Sequence, residues 1–259
     1  MMLVKMIKVT IFSLLTGLVM MAFSNNAMSL ELSTHYLGRA YDLESNQLAY
    51  TEEYKEYSRN GMVEEATVTY FSPLGKVIAE KKITFRDTIT VPDFMMLDQR
   101  NGYIEGVSQE ETGFKITFQN DKESPKISKT VQPSFPVVVD AGFHYFILEN
   151  WEALTAGKRL TFNFVVPSIQ DFLLFEIKKV ENASQGVSEQ VQFQTGVSNF
   201  LLKAFVDPIL LTYDAKTLQL LKYEGISNVN NDDGKSHNVR IEMVYQDNLV
   251  SLEEPHSLP

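Results

Sequence analysis

The sequence contains no cysteine and only one tryptophan. The lack of cysteine excludes disulfide bonds, thiol catalysis, a thiolate-ligated metal and an anchor on a lipid-modified cysteine. Histidine is scarce too, and no two histidines have the spacing that places paired metal ligands on one face of a helix or strand. The four are His35, His144, His237 and His256. The sequence therefore predicts no metal site and no cofactor.

Motifs for nucleotide and ester chemistry are missing as well. No glycine-rich segment has the spacing of a phosphate-binding loop. Ser108, Ser198 and Ser227 each follow a glycine by two positions, but each lacks the second glycine that a serine nucleophile elbow needs. The pattern favours a non-catalytic protein over an enzyme.

Basic residues are outnumbered, with 23 lysines and arginines against 33 acidic residues and a formal net charge of −10. This charge argues against a nucleic-acid partner and against electrostatic binding to anionic membranes. A chain of 259 residues buries roughly 70–75% of its unfolded surface, so a sizeable core needs no covalent staples. No repeat and no linker rich in glycine, serine or proline divides it, which predicts one domain.

The N-terminus has the pattern of an export signal. Lys5 and Lys8 precede an apolar run from 9 to 23, which is short for a membrane span but typical of a signal-peptide core. Small residues favour cleavage after Ser29, with cleavage after Ser24 and an uncleaved anchor as alternatives. We predict a signal peptide at 1–29, a single β-rich domain at 30–247 and a flexible tail at 248–259. The expected location is the periplasm of a Gram-negative bacterium, with no stable membrane span after cleavage.

Most of the remaining chain reads as β-strands separated by turns. Alternation of apolar and polar residues predicts a long strand over 76–91, while 92–103 interrupts the pattern with proline, glycine and paired methionines. Asn60-Gly61 predicts a tight hairpin, and Ser72–Gly75 predicts a type I turn. Asp87 lies on the apolar side of its strand, so it needs either solvent or a cationic partner.

The segment from Pro136 to Gly157 carries the best helix pattern. Asp140 is the expected N-cap and Gly157 the expected end of the helix. We predict a mainly β (α+β) fold in which a single large curved antiparallel sheet, like a half-barrel, holds this central helix on its concave face. The run 198–206 is a candidate for a second short helix there.

Three segments carry a resemblance to a family of uncharacterised exported bacterial proteins: YFSPLGKVIAEKKITF at 70–85, VVDAGFHYFILENWEALTAG at 138–157 and LLKYEGISNV at 220–229. More loosely, the run of strands around one helix is similar to the half-barrel of periplasmic lipoprotein carriers. That resemblance implies a curved sheet with helices on its concave side and acyl chains bound between them. It assigns no functional residue.

The leading hypothesis is a protein that binds a lipid or other hydrophobic molecule in an apolar cavity between the sheet and the central helix. The candidate ligand-binding residues are Phe143, His144, Phe146, Ile147, Asn150 and Trp151. One alternative is a cell-envelope structural or assembly factor that binds an envelope protein. Another is a glycan or ester hydrolase, which would need paired carboxylates from a set such as Asp98, Glu105 and Glu224.

Overall fold

The computed structural model describes residues 29–86, 88–180, 190–199 and 207–246. In these ranges the chain forms fifteen strands and two short α-helices. The strands are β1 (Glu31–Asp42), β2 (Leu48–Arg59), β3 (Met62–Phe71), β4 (Val77–Thr84), β5 (Asp93–Asp98), β6 (Ile104–Glu110), β7 (Gly113–Gln119), β8 (Ile127–Val131), β9 (Val137–Val138), β10 (Leu160–Val166), β11 (Asp171–Lys179), β12 (Gln190–Val197), β13 (Ile209–Asp214), β14 (Leu220–Ile226) and β15 (Asn238–Tyr245). The helices are α1 (Gly142–Glu149) and α2 (Trp151–Thr155).

All fifteen strands belong to one sheet, in the order β8-β7-β6-β5-β4-β3-β2-β1-β15-β14-β13-β12-β11-β10-β9. Every pairing is antiparallel except that of β9 with β10, which is parallel, so the sheet is mixed. The predicted mainly β fold with one large sheet is therefore confirmed. Among the described strands no ladder joins β8 to β9, and the sheet is not closed.

The sheet is nevertheless strongly curved, as contacts between strands near its two ends show. The rings of Phe114 on β7 and Phe172 on β11 have centroids 5.5 Å apart. Lys129 on β8 lies 3.2 Å from the carboxylate of Asp171 on β11. These strands stand at opposite ends of the sheet order, so the curvature is large enough to bring them together.

The tight turns follow the sequence closely. Asn60 and Gly61 both have positive φ, 54° and 75°, as a type I′ hairpin turn requires. In the turn at 72–75 the Gly75 N–H donates to the Ser72 carbonyl at 2.8 Å. Both predicted turns are confirmed.

Between residues 76 and 103 the prediction was wrong in two places. The strand expected over 76–91 ends at Thr84, and β5 occupies part of the segment in which no strand was expected. Within β5, Phe94 and Met96 face inward while Met95 and Leu97 are exposed, which is ordinary alternation. A buried acid, Asp98, and the methionines concealed that alternation in the sequence.

The central helix is present but is divided and capped differently from the prediction. It begins at Gly142 and is interrupted at Asn150, whose φ and ψ of −111° and 15° separate α1 from α2. Gly157, with φ of 89°, ends it as predicted. The prediction of Asp140 as N-cap was wrong, because Ala141 holds that position without a side-chain cap bond. The Asp140 carboxylate instead binds Lys81 on β4.

Several predictions lie outside the described residues. These are residues 1–28 of the signal peptide predicted at 1–29, the partner of Asp87, residues 200–206 of the second helix predicted at 198–206, and the tail predicted at 248–259. Within the described ranges, neither helix has the length and apolar composition needed to cross a membrane.

Buried side chains form two clusters. One is built mainly on β2 to β7, with Ile83, Phe94 and Ile116 among its members. The other lies where the helices meet β10 to β13, and includes Ile147 and Phe193. Helix α1 therefore packs firmly on the second half of the sheet, while its Tyr145 reaches the first cluster.

Gly142 generates a prediction about how α1 docks. A Cβ added there would lie 2.2 Å from the backbone carbonyl oxygen of Thr90, which also accepts a hydrogen bond from the Val139 N–H. Replacing glycine by alanine normally stabilises a helix by about 1 kcal/mol. We expect Gly142→Ala to lower the free energy of unfolding by about 2–3 kcal/mol instead, because backbone must move to relieve the overlap.

Urea denaturation measures this effect, and Gly196→Ala is the matched control. The nearest atom to a Cβ at Gly196 is Pro208 Cα at 3.6 Å, an ordinary contact, so its effect should be small. Equal stability of the Gly142→Ala protein and the wild type would contradict the close docking.

Candidate functional site

A large cavity, with a volume of about 650 Å³, lies between α1 and the strands on either side of the β1–β15 pairing. Its wall comes from β1, β2, the start of α1, the turn between β13 and β14, and the end of β15. The side chains are mostly aromatic and aliphatic. They include Leu32, Tyr36, Tyr54, Val63, Ala141, Phe143, Tyr145, Leu148, Leu211, Tyr213, Leu218, Leu220, Tyr223 and Tyr245.

Glu56 is the main charged group in this wall. It is buried on β2, and its Oε2 accepts hydrogen bonds from the hydroxyls of Tyr54, at 2.9 Å, and Tyr145. Its Oε1 accepts from Thr34 at 3.0 Å and from Ser33 at 3.3 Å. The carboxylate is thus held by four hydroxyls, and through Tyr145 it connects β2 with α1.

His144 faces the same cavity from α1. Its ring stacks on Tyr213 of β13, with an interplanar angle of 7°, and its Nδ1 lies 3.1 Å from the Tyr213 hydroxyl. Burial lowers the pKa of His144 to about 4, although Glu56 acts in the opposite direction, so the imidazole is neutral at pH 7. Neutral His144 and the Tyr213 hydroxyl add hydrogen-bonding groups to a wall that is mostly aromatic and aliphatic.

A buried ion pair fixes the chain just before α1. Lys81 Nζ lies 2.6 Å from Asp140 Oδ1, with side chains only 6% and 9% exposed. Asp140 adopts a left-handed backbone conformation, with φ of 42°, which aspartate tolerates better than most residues. Because both charges are taken out of water, this pair stabilises the structure only while both partners are present.

Two further carboxyls, Glu52 and Glu105, are buried close to this pair. Burial raises the pKa of Glu52 to about 7, with Lys81 opposing and Asp140 adding to the rise. Burial also raises the pKa of Glu105, which accepts a hydrogen bond from Tyr103 at 2.8 Å. Burial by itself lowers the pKa of Lys81, but the surrounding carboxylates outweigh it and the pKa is raised. Lys81 is therefore the cation that interacts with three acidic side chains, those of Asp140, Glu105 and Glu52.

Gly38 makes room for this cluster. A Cβ at Gly38 would lie 2.6 Å from Glu52 Cγ, so the buried glutamate occupies the space that a side chain on β1 would take.

The carboxylates considered for hydrolysis lie in three separate environments. Asp98 is 1% exposed and is bound by the Arg100 guanidinium at 2.6 Å, which also donates to the Asn230 carbonyl. Glu105 belongs to the Lys81 cluster, and Glu224 pairs with Lys222 at 2.9 Å. None of the three lines the large cavity. The part of the chain that the structure describes contains no group of histidines and acids suited to a metal ion.

The six candidate ligand-binding residues are divided among three places. Phe143 and His144 line the large cavity. Phe146 and Asn150 line a smaller cavity of about 330 Å³, and the Asn150 amide donates to the Phe146 carbonyl at 2.9 Å. Ile147 is fully buried, and Trp151 packs against Phe193 and Tyr213 at 5.4 and 5.6 Å.

Sequence reasoning missed the buried charges, although a signal for them exists. In β2, Glu52 and Glu56 have the same strand parity as buried Tyr50 and Tyr54. In β4, Lys81 has the parity of buried Ile83. A charged residue on the inward parity of a strand indicates either an edge or a buried partner, and here the partners are other inward charges and hydroxyls.

Lys81→Met tests the buried cluster. The substitution leaves Asp140, Glu52 and Glu105 buried without their cation, so we expect the free energy of unfolding to fall by about 3–5 kcal/mol at pH 7. The loss should shrink at pH 5, because Glu52, with a pKa of about 7, is neutral there. Lys82→Met on the exposed side of β4 is the control. Equal stability of both variants in urea titrations would refute the cluster.

Glu52→Gln tests the pH dependence. The folded pKa of about 7 exceeds the ordinary value of 4.5, so the folded state binds this proton more tightly than the unfolded chain does. The contribution of the group is present below pH 4.5 and is lost as the pH rises through 7. Because glutamine resembles the neutral acid, the stability of Glu52→Gln relative to wild type should increase by about 3 kcal/mol between pH 4.5 and 8.

Glu53→Gln is the control for this measurement. Glu53 is the neighbouring residue on the outward-facing side of β2, and a hydrogen bond from Lys55 lowers its pKa. The stability of Glu53→Gln relative to wild type should therefore fall as the pH rises. A pH-independent difference for Glu52→Gln would contradict the burial of an ionisable carboxyl at that position.

Comparison with known proteins found few similarities. No family model matches the sequence, and no curated protein matches it. Among solved structures the chain is similar to the beta-barrel-like protein of domain of unknown function DUF1849 from Brucella abortus, at 8% sequence identity and a TM-score of 0.44. The similarity covers 83% of this chain and 98% of that chain. These comparisons give no support of their own to the resemblance to lipoprotein carriers. The similar structure is itself described by a domain of unknown function, so it carries no functional argument.

Proposed function

We propose that this is an exported, non-catalytic protein that binds a hydrophobic small molecule in the cavity between α1 and the sheet. The observation that carries the proposal is the 650 Å³ cavity, whose volume falls in the range of about 300–1,000 Å³ typical of small-molecule sites. Its wall also has the composition of such sites: aromatic and aliphatic side chains with a few hydrogen-bonding groups.

Contacts of α1 support its placement inside the curve of the sheet. Tyr145 donates to Glu56 on β2, while His144 stacks on Tyr213 of β13. In the sheet order three strands, β1, β15 and β14, lie between β2 and β13. Because adjacent residues of one helix reach both, we infer that the sheet wraps around α1 and that the cavity occupies the remaining space on the concave side.

We propose that the ligand contacts Phe143, His144 and Leu148 from α1, with Tyr36 and Tyr223 from the sheet. Phe146 and Asn150 would contact a ligand only in the smaller cavity, while Ile147 and Trp151 would pack against the residues that line the large cavity. The export signal predicted from the N-terminal sequence is the basis for proposing the periplasm as the location of this function.

A role in envelope assembly has weaker support. Strand β8 is an exposed edge, and four of its five residues are exposed. It carries Lys129, and charged residues on an edge strand hinder pairing with another chain. The cavity is therefore the stronger basis for a function.

A cavity-filling substitution tests the proposal. Leu220→Trp should occupy part of the cavity and weaken binding of N-phenyl-1-naphthylamine, an uncharged apolar dye, by at least about tenfold because the ligand loses apolar contact area. Dye fluorescence during titration measures the affinity. Mass spectrometry of organic extracts from the purified wild type should also reveal a co-purified hydrophobic molecule that is depleted from the variant.

Leu174→Trp is the control, since Leu174 on β11 is 49% exposed and is not part of the cavity wall. It should bind the dye as the wild type does. No saturable binding by the wild type, or equal loss in both variants, would refute the proposed function.

A further inference from the structure

Apart from two histidines, His35 and His144, the groups in the cavity wall that carry charge are acidic. Glu56 and Asp140 contribute carboxylates to the wall, whereas neither lysine nor arginine occurs among the described residues that line it. An anionic ligand would therefore be buried beside negative charge with no cation to compensate it, which is costly.

The basic side chains at or near the cavity already have partners. Lys81 lies behind the wall and is bound to Asp140 at 2.6 Å. His35 places its Nε2 3.0 Å from Glu53. Burial keeps His144 neutral at pH 7 by lowering its pKa.

The N-terminus of α1 offers no anion site either. The N–H groups of Gly142, Phe143 and His144 donate to the carbonyls of Val139, Asp140 and Ala141. These first-turn donors are therefore occupied by the chain itself.

Glu56 is arranged as a fixed negative charge. Four hydroxyls, from Ser33, Thr34, Tyr54 and Tyr145, point hydrogen bonds at its two oxygens. Such charge-assisted bonds suit a carboxylate anion. They orient Glu56 within the wall without neutralising it.

Aromatic rings line the same wall as this charge. Tyr36 stacks on Tyr54 at 4.8 Å with an interplanar angle of 10°, and Tyr245 lies 5.3 Å from Tyr36. Tyr145 and Tyr213 belong to the same wall. Aromatic rings beside a carboxylate attract cations, and cages of such rings recognise quaternary ammonium groups.

We infer that the cavity selects a hydrophobic cation, an amphiphilic amine or quaternary ammonium compound, over an anionic amphiphile of the same chain length. The inference rests on the proposed function, because it specifies the chemical class of ligand for the same cavity. It excludes fatty acids as the preferred occupant.

Three compounds with one twelve-carbon chain test the inference in the wild-type protein: dodecyltrimethylammonium, 1-dodecanol and dodecanoate, each below its micellar concentration. Competition against the uncharged dye gives the three affinities. We expect dodecyltrimethylammonium to bind at least about tenfold more tightly than dodecanoate, with dodecanol between them. Equal or tighter binding of dodecanoate would overturn the inference while leaving the proposed function in place. If neither the dye nor any of the three compounds binds, the proposed function itself fails.

Glu56→Gln tests the origin of the preference. It should weaken binding of dodecyltrimethylammonium by about tenfold and leave dodecanol binding unchanged, because the charge is removed while the size and shape of the side chain are kept. Glu242→Gln, at a 52% exposed side chain on β15, is the matched control and should alter neither affinity. A full cation preference in Glu56→Gln would overturn the role of Glu56. Should Glu56→Gln fail to fold, Tyr36→Leu removes an aromatic face without a change of charge, and an unaltered cation preference there would overturn the role of the aromatic wall.

Discussion

The ion pair between Lys81 and Asp140 is the constraint on which the interior of this protein depends. It joins the middle of β4 to the residue that precedes the N-cap of α1, and both side chains are almost completely removed from solvent. Its loss would leave an uncompensated charge inside the fold, so the start of the helix has little freedom to move. The close approach of Gly142 to the Thr90 carbonyl fixes the same point sterically. Charge and shape together set how far α1 stands from β1 and β2, and so set the size of the cavity.

Much of the fold could be predicted because it depends on local patterns. The Asn60-Gly61 hairpin, the Ser72–Gly75 turn and the end of the helix at Gly157 each require a backbone conformation that the sequence specifies within a few residues. The prediction failed where a distant residue decides the local structure. Asp140 has the side chain of a good N-cap, but Lys81, remote in sequence, attracts its carboxylate. Strand β5 was missed because Asp98 interrupts its apolar face, and Arg100 makes that burial tolerable.

The candidate site, too, could be predicted only where it depends on local sequence. The sequence drew attention to the helix, and α1 does provide Phe143 and His144 to the cavity. The opposing wall comes from β1, β2, β13, β14 and β15, whose individual alternation patterns carry no information about which strand they adjoin. The polar groups of that wall, above all Glu56 and Tyr213, become neighbours of the helix only through the curvature of the sheet. A single sequence does not encode that proximity in any short motif.

The order of strands also has a consequence for how the protein folds. Among the described pairings, every strand lies beside a neighbour in sequence except at the β1–β15 junction, where Tyr36 is opposite Tyr245. Each half of the sheet, β1 to β8 and β9 to β15, can therefore form from contacts of short sequence separation. Formation of the β1–β15 junction must instead close a loop of nearly the whole domain, which is slow. Tyr36 and Tyr245 both line the large cavity. The large cavity is thus a late product of folding: either half of the sheet can assemble while the chain is being synthesised, but the cavity is incomplete until β15 has joined β1.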